Sequence, residues 1–206
     1  MGIFIAFEGI DGSGKTTQLA LLKARLEAEG IPALCTKEPT DGPVGRLLRQ
    51  VLTGEVELDE RAAAPLFTAD RLDHLLNPEN GLCAALERGC NVLTDRYYFS
   101  SYAYQTGGGV PMERIIEANA ACAALLRPTV TVFFDLDPEE ALRRIAAARG
   151  RTELFETRER LYAVRRNYLA AFERLRDVEN VRTVDAAQPV QALAEEIWET
   201  LKPYFH

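Results

Sequence analysis

The eight residues Gly9 to Thr16, GIDGSGKT, are spaced to hold a row of phosphates. Gly9, Gly12 and Gly14 let the backbone wrap an anion closely, so that the N–H groups of Ile10, Asp11 and Ser13 can turn inward. Lys15 offers a point charge to the terminal phosphates, and the hydroxyl of Thr16 suits Mg²⁺. The pattern GxxxxGK[ST] is short enough to arise by chance, so its surroundings decide. Before it stands IFIAFE (3–8), apolar on both faces like a buried strand. After it comes TTQLALLKARLEAEG, with leucines at 19, 22 and 26, a helix stopped by Gly30. Such a helix points its positive N-terminal end at the same anion. Residues 9–17 are therefore expected to bind ATP or GTP with Mg²⁺.

A second cluster lies in VLTDRYYFSSYAYQ, where a strand ends in Asp95 and Arg96 follows at once. An Asp that orients hydrated Mg²⁺ beside an Arg that grips a phosphate suggests two phosphate groups meeting there. The plainer alternative is a surface ion pair at a strand end. In RRIAAARGRTE, Arg143, Arg144, Arg149 and Arg151 surround one glycine. Arg143 is expected on a solvated face. The chain has only two histidines, His74 and His206, and neither is assigned a catalytic role.

The elements that must position these groups alternate regularly. Strands are expected at 3–8, 31–38, 90–95, 129–136 and 180–186. Helices are expected between them, including one from Asp59 with Pro65 inside it, others at 99–106 and 111–126, and a polar one at 153–176. Five strands alternating with helices imply an α/β chain with a parallel sheet covered on both faces, the three-layer P-loop NTPase fold. No linker divides the 206 residues, so one domain is expected, with a short mobile lid at about 144–156.

Composition narrows the class further. A net charge of −7 argues against broad nucleic-acid binding through a basic surface. No apolar run approaches the ~20 residues that span a bilayer, and MGIFIAFEGIDG lacks the pattern of a signal peptide. The four cysteines form no CxxC pair, which suggests buried thiols in a reducing cytosol and a cytoplasmic protein. An NKxD segment, expected of a GTPase switch, is absent, and a motor or transport ATPase needs a larger chain.

FEGIDGSGKTTQ, TKEPTDGPVGRLLR, LFTADRLDH, TDRYYFSSYAYQ and VDAAQP follow the order and spacing of thymidylate kinases, which the chain resembles from about residue 3 to 188. The resemblance implies transfer of the ATP γ-phosphate to dTMP, with Mg²⁺, in a homodimer. Gln188 then falls in the ATP site with the glycine loop, and Asp11 bonds the acceptor's 3′-hydroxyl. Glu38 and Pro39 match the family's EP turn, although Lys37 stands where an Arg is usual, without its bidentate fork.

Phe67 matches the aromatic that stacks on thymine, and Arg71 the Arg that bonds a thymine carbonyl. Arg96 would hold the acceptor phosphate, with Asp95 near the metal. Ser101 and Gln105 fall where the family contacts the base, and Tyr104 where it packs under the deoxyribose. Since the glycine loop carries no Arg, the resemblance points to a lid arginine, Arg149 or Arg151, for the transfer step; one such group contributes ~10³-fold or more. Taking Tyr168 as the tyrosine of the next helix, Arg165 fits the family's pattern and Ala163 does not. Read alone, Phe67 could be helix core, Arg71 a partner of Asp70 or Asp73, and Gln105 a helix end without a ligand.

A phosphate acceptor needs no general base, because its second pKa of ~6 leaves it anionic at neutral pH. A hydroxyl acceptor would need one. The rival readings are accordingly a deoxynucleoside kinase with Glu38 as base, and a catalytically weak nucleotide-binding protein descended from such a kinase.

Overall fold

The computed structural model describes residues 2–149 and 157–205. Its core is a five-stranded, all-parallel sheet in the order β2-β3-β1-β4-β5. The strands are β1 (Phe4–Glu8), β2 (Ala33–Lys37), β3 (Asn91–Asp95), β4 (Val130–Asp135) and β5 (Val181–Asp185). All five residues of β1 are buried, as the central strand of a sheet covered on both faces requires. Burying Phe4, Ile5 and Phe7 there is worth about 1.5–3 kcal/mol each.

The helices are α1 (Lys15–Ala28), α2 (Pro43–Leu52), α3 (Glu60–Leu76), α4 (Leu82–Glu87), α5 (Tyr98–Tyr104), α6 (Met112–Leu125), α7 (Pro138–Arg149), α8 (Arg158–Leu175) and α9 (Val190–Leu201). Pro65 lies inside α3, which runs unbroken around it after Asp59 caps its start by accepting from Arg61 N. α5 begins one residue before and ends two residues before the expected bounds, and α6 is one residue shorter than expected at each end. The polar helix α8 begins at Arg158, where Thr157, its backbone extended, caps it by accepting from Arg160 N with its side chain; residues 153–156 of the expected helix lie outside the described residues. Of the four cysteines only Cys122 is fully buried; Cys35, Cys83 and Cys90 are half-buried, and all are free thiols.

α5 and α8 pack together through aromatic side chains. Phe99 meets Phe172 with ring centroids 4.8 Å apart, and Phe133 of β4 meets Tyr168 at 5.3 Å. Tyr97, Tyr98 and Tyr102 are core residues; Tyr97 donates to Leu126 O at 2.9 Å, and Tyr98 to Glu179 at 2.7 Å. Among the described residues no helix is long and apolar enough to cross a membrane.

The chain leaves β1 toward β2 on one side and later returns through β4 on the other. Ligands of open parallel sheets bind at such a reversal, beyond the carboxyl ends of the strands. The glycine loop, Glu38 and Arg96 all follow the carboxyl ends of neighbouring strands.

Candidate active site

The loop after β1 closes around Lys15. Its Nζ donates to the carbonyls of Gly9 and Ile10 at 3.0 Å each. Burial pushes its ammonium down to about 8, and the nearby charge of Arg96 acts in the same direction, against the pull of Asp95, Asp11 and Glu8. The loop can approach α7 closely because Gly12 has φ +78 and no side chain; a Cβ there would lie 2.8 Å from Ala141 O. Ile10 is buried in the core, while Asp11, Ser13, Gly14, Thr16 and Thr17 line a cavity of about 730 Å³ with Arg144. Gln188 lies on the far side of that cavity, its amide donating to Glu196 at 2.6 Å.

β3 delivers Asp95 to the same cavity. The hydroxyl of Thr16 donates to Asp95 Oδ2 at 2.7 Å, and Asp95 Oδ1 is buried without a partner among the described residues. A hydroxyl beside a carboxylate with an oxygen to spare is an all-oxygen donor set, which fits a hard cation that keeps several of its waters. No cluster of three or more His, Cys, Asp or Glu occurs among the described residues, so a fully protein-built metal cage is not found there.

Arg96 is the only described non-glycine residue with positive φ, at 75°. Its N–H bonds Phe7 O at 2.9 Å, which fixes this uncommon conformation against β1. The guanidinium lies 4.7 Å over the ring of Tyr104 and bonds Asp11, Tyr104 Oη at 3.2 Å and Ser100 Oγ at 3.1 Å. Tyr104 in turn donates to Asp11 Oδ2 at 2.9 Å. Burial alone would raise the Asp11 carboxyl, but the charges of Arg96 and Lys15 hold it below its ordinary value.

On the other side of this group opens a second cavity of about 540 Å³. Phe67, Pro39 and Gln105 line it, with Phe67 half-buried and Gln105 Oε1 buried without a partner among the described residues. Arg71 reaches it from α3 while almost wholly buried. Its partner is neither Asp70 nor Asp73. Nε donates to Glu38 Oε2 at 2.8 Å with Nη2 2.7 Å from the same oxygen, and Nη1 donates to Ser101 Oγ at 3.0 Å and to Asn119. Asp70 instead takes the N–H of Thr40 at 2.8 Å, together with its hydroxyl. His74 Nδ1 lies 3.1 Å from Glu38 Oε1, and Thr36 Oγ1 lies 2.8 Å from His74 Nε2.

Glu38 is thus engaged through both oxygens, Oε2 by Arg71 and Oε1 by His74. Asp11 and Arg96 line both cavities and form the wall between them.

Other expected positions fall outside this group. Lys37 is exposed at the end of β2, paired in register with Asp95. Arg165 is held by Asp135 through two bonds of 2.7 and 2.9 Å, and Ala163 is half-buried on α8. Arg143 pairs with Glu140 at 2.7 Å on an exposed face. Arg149 ends α7; its side chain and the whole of Arg151 lie outside the described residues, as does most of the expected lid.

Several residues of the site were missed in the sequence. Glu8, Ser100, Tyr168 and Asn119 are buried and bonded to Arg96 or Arg71, directly or through one another. Arg160 of α8 lines the smaller cavity, 3.7 Å from Glu60. A carboxylate inside an all-apolar strand was the available signal for Glu8; Arg160 had none, standing in a helix crowded with charge.

A parallel sheet reversing at β1, a phosphate loop with a buried lysine and two cavities with one charged wall define a P-loop phosphotransferase. The family model for thymidylate kinase matches residues 7–197. The chain is similar to a probable thymidylate kinase of Thermococcus gammatolerans, at 38% identity over 208 residues, covering 96% of this chain and 94% of that protein. It is 40% identical over 196 residues to a probable thymidylate kinase of Pyrobaculum calidifontis, covering 95% and 93%. A thymidylate kinase of Leptospira borgpetersenii is 36% identical over 193 residues, covering 94% and 90%. The chain belongs to the thymidylate kinase family.

Proposed function

We infer that this chain transfers the γ-phosphate of ATP to dTMP, giving ADP and dTDP. The observation that carries this reading is the wall of Asp11 and Arg96, which faces a phosphate-loop cavity on one side and an aromatic-lined cavity on the other. Two nucleotides bound there meet phosphate to phosphate, and alignment with charge neutralisation is then the main requirement.

In this reading ATP lies along residues 9–17 with Gln188 near its base, and Lys15 faces its terminal phosphates. The deoxynucleotide stacks on Phe67 against Pro39 and Gln105, with its base edge toward Arg71. Glu38 and Ser101 act through Arg71, which they hold. Arg96 takes the acceptor phosphate, Asp11 the 3′-hydroxyl, and Tyr104 closes the floor under the sugar. Thr16 and Asp95 hold Mg²⁺, partly through water; when bound, it neutralises charge on the donor phosphates. Arg149 or Arg151 supplies the remaining cation from the lid. A homodimer formed through the helices between 59 and 126, resting on family resemblance, and a cytoplasmic location, resting on the four free thiols, complete the proposal.

A 5′-hydroxyl acceptor would require a free base, and Glu38, the candidate, is bound to Arg71 and His74. A coupled ADP-release screen with ATP, Mg²⁺, every nucleoside monophosphate and thymidine tests the reading. It predicts turnover with dTMP, and with dUMP at a modest disadvantage, since one buried methyl is worth about 1 kcal/mol. Consumption of thymidine in place of dTMP would overturn it, as would tight ATP binding with no turnover of any monophosphate.

A further inference from the structure

Glu8 is a fully buried carboxylate that the transfer chemistry leaves without a task. It ends β1, one residue before the glycine loop, and faces donors on every side. Oε1 accepts from the backbone N–H groups of Tyr97 and Ser100 at 2.9 and 3.1 Å. Oε2 accepts from Ser100 Oγ at 2.6 Å and from Tyr168 Oη at 3.0 Å. Four donors and no acceptor suit an ionised side chain, although burial raises its pKa against the opposing bond from Ser100 and the charge of Arg96.

The proton count gives this network a direction. Ser100 and Tyr168 have one hydroxyl proton each; Ser100 directs its own at Glu8 Oε2, and Tyr168 Oη lies 3.0 Å from Glu8 Oε2 and 2.9 Å from Ser100 Oγ. Ser100 Oγ therefore keeps its lone pairs, and one of them receives Nη1 of Arg96 at 3.1 Å. The two N–H bonds to Oε1 meanwhile pin the first turn of α5, whose Ser100 supplies that oxygen. Arg96 is thus tied to Asp11 on one side and, through Ser100, to Glu8 on the other.

We propose that Glu8, Ser100 and Tyr168 are positioning residues that hold the guanidinium of Arg96 in the orientation that grips the acceptor's phosphate. The assignment rests on the reading of Arg96 as the phosphate-binding residue. A phosphate can take the place of Asp11 on Nη2, whereas the Nη1 side stays anchored through Ser100. Tyr168 brings the anchor under the influence of α8, the helix that follows the segment 150–156 in the chain.

The test compares binding of dTMP with binding of thymidine, which fills the same cavity without a phosphate. Calorimetry on the wild type gives the phosphate increment as the ratio of the two affinities. Ser100→Ala and Glu8→Gln should shrink that increment about tenfold to a hundredfold, as loss of a hydrogen bond to a charged group does, while thymidine affinity stays within about threefold. Tyr168→Phe should shrink it less, by about threefold, because Ser100 remains.

A purely structural role would weaken both ligands together. Ser100→Ala and Tyr168→Phe proteins that are folded by circular dichroism yet keep the full increment would overturn the assignment, whether or not Glu8→Gln folds. Arg96→Lys separates the two levels: if it also keeps the increment, the reading of Arg96 itself fails, and if it alone loses it, only the anchoring fails.

Discussion

Lys15 allows a prediction worked from the structure with its sign fixed. Its ammonium is pushed down to about 8, mainly by burial, whereas an exposed lysine titrates near 10.4. At pH 8 about half of the free protein therefore carries a neutral Lys15, and at pH 7 only about a tenth. A bound triphosphate places several negative oxygens beside Nζ and favours the charged form. Nucleotide binding at pH 8 should take up about 0.5 proton, and binding should weaken about tenfold between pH 7 and pH 9.

The nucleotide contributes no proton of its own at pH 8, because a terminal phosphate with a pKa of ~6 is already deprotonated. Stability of the free protein follows the same linkage. Between about 8 and 10.4 the unfolded chain holds more protons on this lysine than the folded one, so stability rises with pH through that window, by about 3 kcal/mol in all. Calorimetry of ADP binding in two buffers of different ionisation enthalpy measures the uptake. Lys15→Arg keeps the charge without the titration and should erase the signal. An affinity that is flat from pH 7 to pH 9, or a release of protons at pH 8, would refute the reasoning.

Three further variants test the site. Arg71→Lys removes the fork that Glu38, Ser101 and Asn119 hold, and should raise KM for dTMP about tenfold to a hundredfold in steady-state assays while leaving KM for ATP unchanged. The same variant leaves Glu38 poorly paired in a buried site, so thermal unfolding should occur several degrees lower, on the order of 2 kcal/mol in stability. Asp95→Asn should cut kcat on the order of 10³-fold and raise the Mg²⁺ concentration needed for half-maximal rate, with dTMP binding unaltered. Tyr104→Ala opens the floor of the cavity beneath the sugar, and the preference for dTMP over its ribonucleotide, measured as a ratio of kcat/KM, should fall about tenfold.

What could be read in the sequence was what is local along the chain. The glycine-loop motif spans eight consecutive residues, from the end of a buried strand into the start of a helix, and needs no distant partner to be recognised. Asp95 and Arg96 are adjacent, so their shared position at a strand end was equally visible. The number of strands and their parallel direction followed from alternation with helices, whereas their order in the sheet did not.

What could not be read was pairing across the fold. Arg71 meets Glu38, Ser101 and Asn119 across separations of 33, 30 and 48 residues, and no local pattern links them. Resemblance placed Glu38 in the EP turn and Ser101 at the base, but it did not show that Arg71 engages both. Glu8 stands 92 residues from Ser100 and 160 from Tyr168, and in a list of strand residues it is only the last one. His74 was given no catalytic task, and its contact with Glu38 could not be foreseen. The cap that Thr157 provides at the start of α8 was overlooked in a stretch crowded with charge.

Phosphoryl transfer straight between two nucleotides, across the wall of Asp11 and Arg96 and with no protein nucleophile between them, is the central claim. The stereochemical course at the transferred phosphorus tests it most directly, using ATP made chiral at the γ-phosphorus with sulfur and oxygen isotopes and dTMP as acceptor. A single in-line transfer inverts the configuration, and inversion is the predicted result. Retention would mean that a group on the protein carries the phosphoryl in passing, and would contradict the account.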